Sequence, residues 1–226
     1  MPAKKRTIEI AEDAEITAYF YSHVSWSPHR VRGRFVLAHG AGADQTHPFM
    51  KRFGEGLAAR GIETTTFNFL YTERKKRAPD PPAVLENVYR AVVKSIGAPC
   101  FIGGKSMGGR IASQIAASGT DVRGLIFLGY PLHPPGKPEQ LRVAHWPKIT
   151  APLLFIQGEK DAFGSPDEIR AQSKKLKAPF EIFPIAGGDH SLGVGKKALA
   201  AANTTQEKIY DRALDEIAAF ISKNSK

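Results

Sequence analysis

The chain contains a single cysteine, Cys100, in 226 residues, which excludes an internal disulfide. That scarcity suits a reducing compartment, and a cytoplasmic protein is expected. Cys100 stands at the start of the apolar run Cys100-Phe101-Ile102, so it reads as a buried small hydrophobe. Long apolar runs are also missing: none approaches the ~18 residues that a membrane-crossing helix needs, and no membrane association is expected. The basic start, Met1-Pro2-Ala3-Lys4-Lys5-Arg6, is followed by Thr7-Ile8-Glu9-Ile10-Ala11-Glu12-Asp13 rather than by an apolar core, so no signal peptide is expected. Low-complexity tracts and fixed-period repeats are absent, which excludes solenoid and tail architectures. No histidine, cysteine and carboxylate cluster has metal-ligand spacing, and neither a metal nor another cofactor is expected. Acidic residues are the minority, 22 against 32 Lys and Arg, giving a net charge of +10. Charge of that sign favours anionic partners, yet no nucleic-acid motif and no basic-aromatic interleaving accompany it, so nothing beyond charge points to nucleic acid.

What is present is a soluble composition, 42% hydrophobic and 24% charged. A chain of this length fits one domain, taken as 1–226, able to bury roughly 70% of the surface it would expose unfolded. Two short β-rich runs, Thr7 to Ile10 and Ile16 to Tyr21, flank the acidic turn Glu12-Asp13-Ala14-Glu15 and predict an antiparallel pair. After the loop Ser25 to Arg32, the apolar strand Arg34 to Ala38 leads into His39-Gly40-Ala41-Gly42-Ala43-Asp44. Phe49, Met50, Phe53, Leu57 and Ala58 recur at helical spacing until Gly61. Ile62 to Phe69 reads as a strand, and Tyr71 to Pro82, rich in charge and proline, as a loop. Val84, Val88, Ala91 and Val92 define a further helix.

The remainder alternates in the same way. Strands are expected at Phe101, at Val122 to Leu128, at Pro152 to Gln157 and at Phe180 to Ile185. Helices are expected after Ser106, after Ser165-Pro166-Asp167-Glu168 and around Leu214, Ile217, Ala218 and Ile221. The order predicts a three-layer α/β fold with an eight-stranded, mainly parallel sheet and helices on both faces. In such sheets ligands bind beyond the carboxyl ends of the parallel strands.

One stretch organises the chain. Gly104-Lys105-Ser106-Met107-Gly108 matches G-x-S-x-G, the turn from strand to helix in which a serine is held out at the sheet edge and glycines remove clashing side chains. So short a pattern also arises by chance, and the partners decide its meaning. Asp161, after the next strand but one, and His190, after the last, both stand just past strand ends. The hydroxyl of Ser106 needs a base, which His190 would supply, while Asp161 would hold the imidazole tautomer and stabilise its cation. The chain order Ser, Asp, His is that of the α/β-hydrolase fold. Asp189 is too close to His190 in sequence to reach the far ring nitrogen, and Glu159 is a weaker rival on the turn of Asp161. The backbone N–H groups of Met107 and Ala41 are the candidate oxyanion donors. His39, His133 and the basic residues Arg74 and Lys75 are candidates for the substrate rim, with His39 expected to hydrogen-bond within its loop rather than act as a base and His133 to have no chemical role.

The segments Leu37 to Ala43, Phe67-Asn68-Phe69, Gly103 to Arg110, Gly129 to Gly136 and Gly158-Glu159-Lys160-Asp161 together resemble one α/β-hydrolase family. It comprises small dienelactone hydrolase-like proteins, related to a hydrolase-like subunit of a eukaryotic histone acetyltransferase complex. The resemblance implies a serine hydrolase fold with Ser106, Asp161 and His190 as the triad. True dienelactone hydrolases carry cysteine as nucleophile where this chain has Ser106, so lactone specificity does not transfer. Only Leu132 to Thr150 separates the sixth strand from the seventh, too little for a cap domain, and an open, shallow site is expected. The expected activity is cleavage of small carboxylic esters or thioesters through an acyl-serine. The competing expectation is a hydrolase-fold scaffold that binds a protein partner.

Overall fold

In the computed structural model, residues 3–11, 14–22, 31–97 and 99–225 are described. Eight strands pair in one sheet: β1 (Lys4–Ala11), β2 (Ala14–Tyr21), β3 (Gly33–Ala38), β4 (Ile62–Phe67), β5 (Phe101–Lys105), β6 (Gly124–Leu128), β7 (Leu153–Gly158) and β8 (Phe180–Ile185). Their spatial order is β1-β2-β4-β3-β5-β6-β7-β8. β1 with β2 and β2 with β4 run antiparallel, and every other pair is parallel. The acidic turn residues Glu12 and Asp13, and 25–30 of the expected Ser25 to Arg32 loop, lie outside the described residues.

Pattern explains position. All of β6 and β7 is buried, as central parallel strands covered on both faces must be, whereas β1 is largely exposed at the sheet edge. The helices are α1 (Pro48–Ala59), α2 (Leu70–Glu73), α3 (Pro82–Ile96), α4 (Met107–Ala117), α5 (Pro166–Gln172), α6 (Lys196–Ala201) and α7 (Gln206–Asn224). Two apolar clusters result from the alternation of side chains across the sheet. On one face Val88, Val92, Ile111, Ile115 and Ile169 of α3, α4 and α5 pack with Val36, Ile102 and Phe127. On the other, Phe53 and Leu57 of α1 and Leu214, Ile217 and Ile221 of α7 pack with Leu37, Phe101 and Ile126. At the start of α5, Ser165 and Glu168 form a reciprocal capping box with Pro166 in the first turn, as the local sequence predicts.

Two local differences from expectation have physical causes. The stretch after β4 begins with one helical turn, α2, rather than a loop. The Glu73 carboxylate accepts the Thr17 N–H at 2.7 Å and Thr17 Oγ1 at 2.5 Å, and Asp80 Oδ2 accepts the Tyr71 N–H at 2.8 Å. These contacts pin the turn to β2. α6 is an added short helix with no buried residue, so no apolar stripe announced it.

Candidate active site

Register brings the carboxyl ends of the parallel strands to one edge. Ala38 pairs with Gly104, Lys105 with Leu128, and Gly158 with Ile185. The residues that follow β3, β5, β7 and β8 therefore meet on one side of the sheet. Ser106, between β5 and α4, has φ 51° and ψ −116°, a left-handed conformation that costs a non-glycine residue on the order of 1–3 kcal/mol. The neighbouring chain leaves no room for side chains on either flank. A Cβ at Gly104 would stand 2.5 Å from the Ala38 carbonyl oxygen, and one at Gly108 would meet the same oxygen at 2.5 Å and that of His39 at 2.7 Å.

Ser106 Oγ lies 2.8 Å from His190 Nε2. His190 Nδ1 lies 2.9 and 2.8 Å from the two oxygens of Asp161. The carboxylate requires the proton on Nδ1, which leaves Nε2 as acceptor for the serine hydroxyl. The Asp161 side chain is fully buried while that of His190 is 20% exposed, so the imidazole faces the cleft and the acid sits behind it. Burying a carboxylate requires donors. The Phe163 N–H donates to Oδ1 at 2.8 Å, and Gln157 Nε2 donates to Oδ2 at 2.8 Å. Gln157 also accepts the Tyr130 N–H at 2.7 Å and donates to the Gly164 carbonyl at 2.7 Å, which locks its amide orientation. The Phe163 ring stacks on the imidazole with centroids 4.1 Å apart.

Lys105 adds a half-buried cation beside this relay. Its Nζ donates to the His190 carbonyl oxygen at 2.6 Å. Burial brings its pKa down to about 8, against the opposing pull of Asp161 and Asp189. Gly129, at φ +67°, makes this approach possible, since a Cβ there would lie 2.6 Å from the His190 carbonyl oxygen and 3.2 Å from Lys105 Nζ.

Reasoning from sequence did not single out Lys105, Gln157 or Phe163. Two of them carry a signal in retrospect: Lys105 is a charge at the end of Phe-Ile-Gly-Gly, and Gln157 an amide at the end of Leu-Leu-Phe-Ile. Tyr89 was also passed over. Its buried hydroxyl accepts the Gly103 N–H at 2.9 Å and faces the carbonyls of Val36 and Gly103 at 2.8 and 2.6 Å, bracing β3 against β5 below Ser106.

Two rim expectations are corrected. His39 is fully buried: its Nδ1 donates to the Gly40 carbonyl at 2.8 Å and its Nε2 accepts the Phe69 N–H at 3.3 Å. Burial lowers its pKa, so the neutral ring ties the Gly40-Ala41-Gly42 turn to the end of β4 instead of facing solvent. His133 is likewise buried, with Nδ1 against the Pro134 carbonyl at 2.8 Å and Nε2 3.2 Å from Glu168 Oε1, away from the cleft. Of the basic pair, Lys75 lines a cavity, whereas Arg74, which ends α2, is exposed and lines neither of the two cavities on this side.

Ser106 and His190 open into a cleft of about 500 Å³. Its walls are the Gly40 to Ala43 turn, the start of α1 with Pro48, Phe49 and Met50, and Tyr210 of α7, with Lys105 and Arg52 as its cations. Ala41 lines this cleft, and Met107 is the first residue of α4, directly after Ser106. A Cβ on Gly40 would lie 3.4 Å from the Ser106 Cβ, a measure of how closely the turn passes. The arrangement can deprotonate a serine, and it can hold a developing negative charge near backbone donors. Among the described residues no group of three His, Cys, Asp or Glu could hold a metal ion, and no helix is long and apolar enough to cross a membrane.

The family model for the Alpha/beta hydrolase domain matches residues 31–222. The chain belongs to the α/β hydrolases. Solved structures share this hydrolase's fold at low identity. An α/β serine hydrolase homologue from Coxiella burnetii is 16% identical over 99% of this chain and 98% of its own, with a TM-score of 0.70. Dienelactone hydrolase from Anabaena variabilis is 16% identical over 99% and 97%, with a TM-score of 0.67. A Xanthomonas campestris protein described as a member of the serine hydrolases without a lid is 13% identical over 99% and 94%, with a TM-score of 0.69. At these identities the likeness shows the fold, and the hydrolase's chemistry rests on its own residues.

Proposed function

We propose that this α/β hydrolase cleaves small carboxylic esters or thioesters through an acyl-Ser106 intermediate, with His190 as general base and acid and Asp161 as the group that orients it. The observation that carries the reading is the continuous chain of contacts from Ser106 Oγ through His190 to the buried Asp161, each at 2.8–2.9 Å. In the first half-reaction His190 Nε2 takes the hydroxyl proton as Oγ bonds to the acyl carbon. The carbonyl π electrons move to oxygen, and the backbone N–H groups of Ala41 and Met107 receive that oxyanion. Collapse breaks the bond to the leaving alcohol or thiol, which departs with the proton from Nε2. In the second half-reaction water gives its proton to Nε2 and attacks the acyl-serine. The acid leaves, and Ser106 regains its proton. No step calls for a cofactor.

Serine stands where true dienelactone hydrolases carry cysteine, so their lactone specificity is not carried over to this chain. The lone thiol, Cys100, is buried and pushed up to about 11, which suits a protein working in the cytoplasm and gives the thiol no part in the reaction. The test is labelling with a fluorophosphonate, read beside hydrolysis of p-nitrophenyl butyrate, for wild type and Ser106→Ala. Labelling and turnover in wild type, both lost in the variant, are expected. A folded wild type that neither labels nor hydrolyses overturns the reading and favours a hydrolase-fold scaffold that binds a protein partner.

A further inference from the structure

The run Arg74-Lys75-Lys76-Arg77 is unused by the proposed chemistry, yet three of its four residues face a concavity. A second cavity of about 740 Å³ is lined by Lys75, Lys76 and Arg77 on one side and by Tyr71 and Thr72 on another. It shares Gly42, Ala43, His47 and Pro48 with the cleft that holds Ser106. The two are thus adjoining compartments separated by the oxyanion turn and the first residues of α1. We propose that the second compartment binds the phosphate-bearing end of the substrate, whose acyl carbon lies at Ser106. The substrate class is then a phosphorylated acyl ester or thioester; this assignment builds on the hydrolase reading above.

Three observations support it. The first is charge: among the described residues of the wall, three cations stand against one carboxylate, Asp44. That carboxylate is turned into its own loop, accepting the Thr46 N–H and Thr46 Oγ1 at 2.6 Å each. The local excess suits a dianion better than a single carboxylate.

The second is preorganisation. The Lys75 N–H donates to the Thr72 carbonyl at 3.0 Å and the Lys76 N–H to that of Tyr71 at 2.8 Å, while Lys75 takes φ 55°. With Asp80 and Glu73 tying α2 down, the basic loop is fixed rather than draped, which lowers the ordering cost of binding an anion. The third is continuity: the shared wall lets a single ligand span both compartments. The first cleft contributes two more cations, Lys105 and Arg52, and among the described residues no acidic one lines it.

The experiment compares two thioesters with the same acyl group, butyryl-coenzyme A and S-butyryl-N-acetylcysteamine, which lacks phosphate. The variant is Lys75→Gly/Lys76→Ala/Arg77→Ala, with glycine chosen at 75 to keep the positive φ without strain. Wild type should favour the phosphorylated thioester at least 10-fold in kcat/KM, with the advantage shrinking as salt rises. In the variant the KM for butyryl-coenzyme A should rise about 10-fold or more while the neutral thioester is cleaved as before, which also shows that the variant is folded. Equal effects on both thioesters, or none on either, overturn the proposal.

Calorimetric binding of adenosine 3′,5′-bisphosphate to Ser106→Ala separates this site from the reaction. Binding without any ester turnover by wild type leaves the anion site standing and sinks the hydrolase reading. Turnover of the neutral thioester with no binding of the bisphosphate sinks the anion site alone.

Discussion

Replacing Lys105 by methionine separates two roles that its position combines. The ammonium is partly buried against the His190 carbonyl, and its pKa falls from 10.5 to about 8 because burial disfavours the charged form. At 1.36 kcal/mol per pH unit, that fall corresponds to about 3 kcal/mol of folding free energy. Below pH 8 the lysine is charged both folded and unfolded, and the full cost is present. Between pH 8 and 10.5 the unfolded chain still holds a proton that the folded chain has released, so stability rises with pH. Above 10.5 both forms are neutral and the cost is gone. Methionine, of similar length and without charge, removes this dependence.

In urea unfolding at half-unit steps from pH 7 to 10.5, the wild-type stability should therefore gain about 3 kcal/mol on that of Lys105→Met. Ionisations common to both proteins cancel in the difference. At pH 7 the variant should be at least as stable as wild type, because the relieved burial cost is offset by loss of the charged hydrogen bond to the His190 carbonyl, about 1.5–3 kcal/mol. Activity should move the other way. Without that 2.6 Å tether the loop carrying His190 loses a restraint, and kcat on a neutral ester should fall roughly 10-fold with KM little changed. Stability curves that run parallel across this pH range would refute the reasoning.

Ser106→Gly should abolish fluorophosphonate labelling and yet raise the melting temperature, since glycine adopts φ 51° without strain and the gain of about 1 kcal/mol outweighs the lost contact to His190; a variant less stable than wild type would contradict the strain argument. Acid stability should depend on His145, whose Nε2 lies 2.7 Å from Ser113 Oγ and whose pKa is brought down to about 4 by burial first and Arg110 second. The unfolded chain protonates this residue first, so its contribution is present above about pH 6.5 and is lost as pH falls towards 4. His145→Gln should flatten the decline in urea midpoint between pH 6.5 and 4, and an unchanged slope would rule His145 out as its cause.

How far the sequence announced the fold follows from which constraints are local. Central strands such as Gly124–Leu128 and Leu153–Gly158 are short apolar runs bounded by turn residues, and helices such as Pro166–Gln172 carry their own caps, so both could be read without tertiary knowledge. The positions of Ser106, Asp161 and His190 past strand ends were legible for the same reason. The supports were not. Gln157 matters because Asp161 Oδ2 lies 2.8 Å away in the fold, and Tyr89 because its hydroxyl reaches Gly103 across 14 positions of chain. Neither relation has a sequence period. The histidines expected at the rim show the complementary error. His39 does hydrogen-bond within its loop, as its place in the turn predicts, but both it and His133 spend Nδ1 on the carbonyl of the following residue and lie inside rather than at the rim.

The segment where other hydrolases place a cap closes the protein from within instead. Leu132, Val143, Trp146 and Ile149 are buried in the cluster on the α3 and α4 face. Trp146 Nε1 donates to the Tyr130 hydroxyl at 3.1 Å, and that hydroxyl lies 3.1 Å from the Arg142 carbonyl and 3.3 Å from Ser113 Oγ. A segment so committed to the core has no freedom to fold over Ser106. The walls of the cleft must come from elsewhere, and they do: the start of α1 and Tyr210 of α7, while the basic loop after α2 lines the adjoining cavity across the Gly42-Ala43 turn. α1 and α7 pack on the opposite face of the sheet from Trp146. On the proposed reading, selectivity for the acyl group would fall to α1 with α7, which line the cleft at Ser106, and selectivity for the far end of the substrate to the loop at 75–77, which lines the second cavity. Changes at Phe49 or Tyr210 should alter acyl-length preference on neutral and phosphorylated substrates alike, whereas changes at Lys76 or Arg77 should be felt only when the substrate carries phosphate.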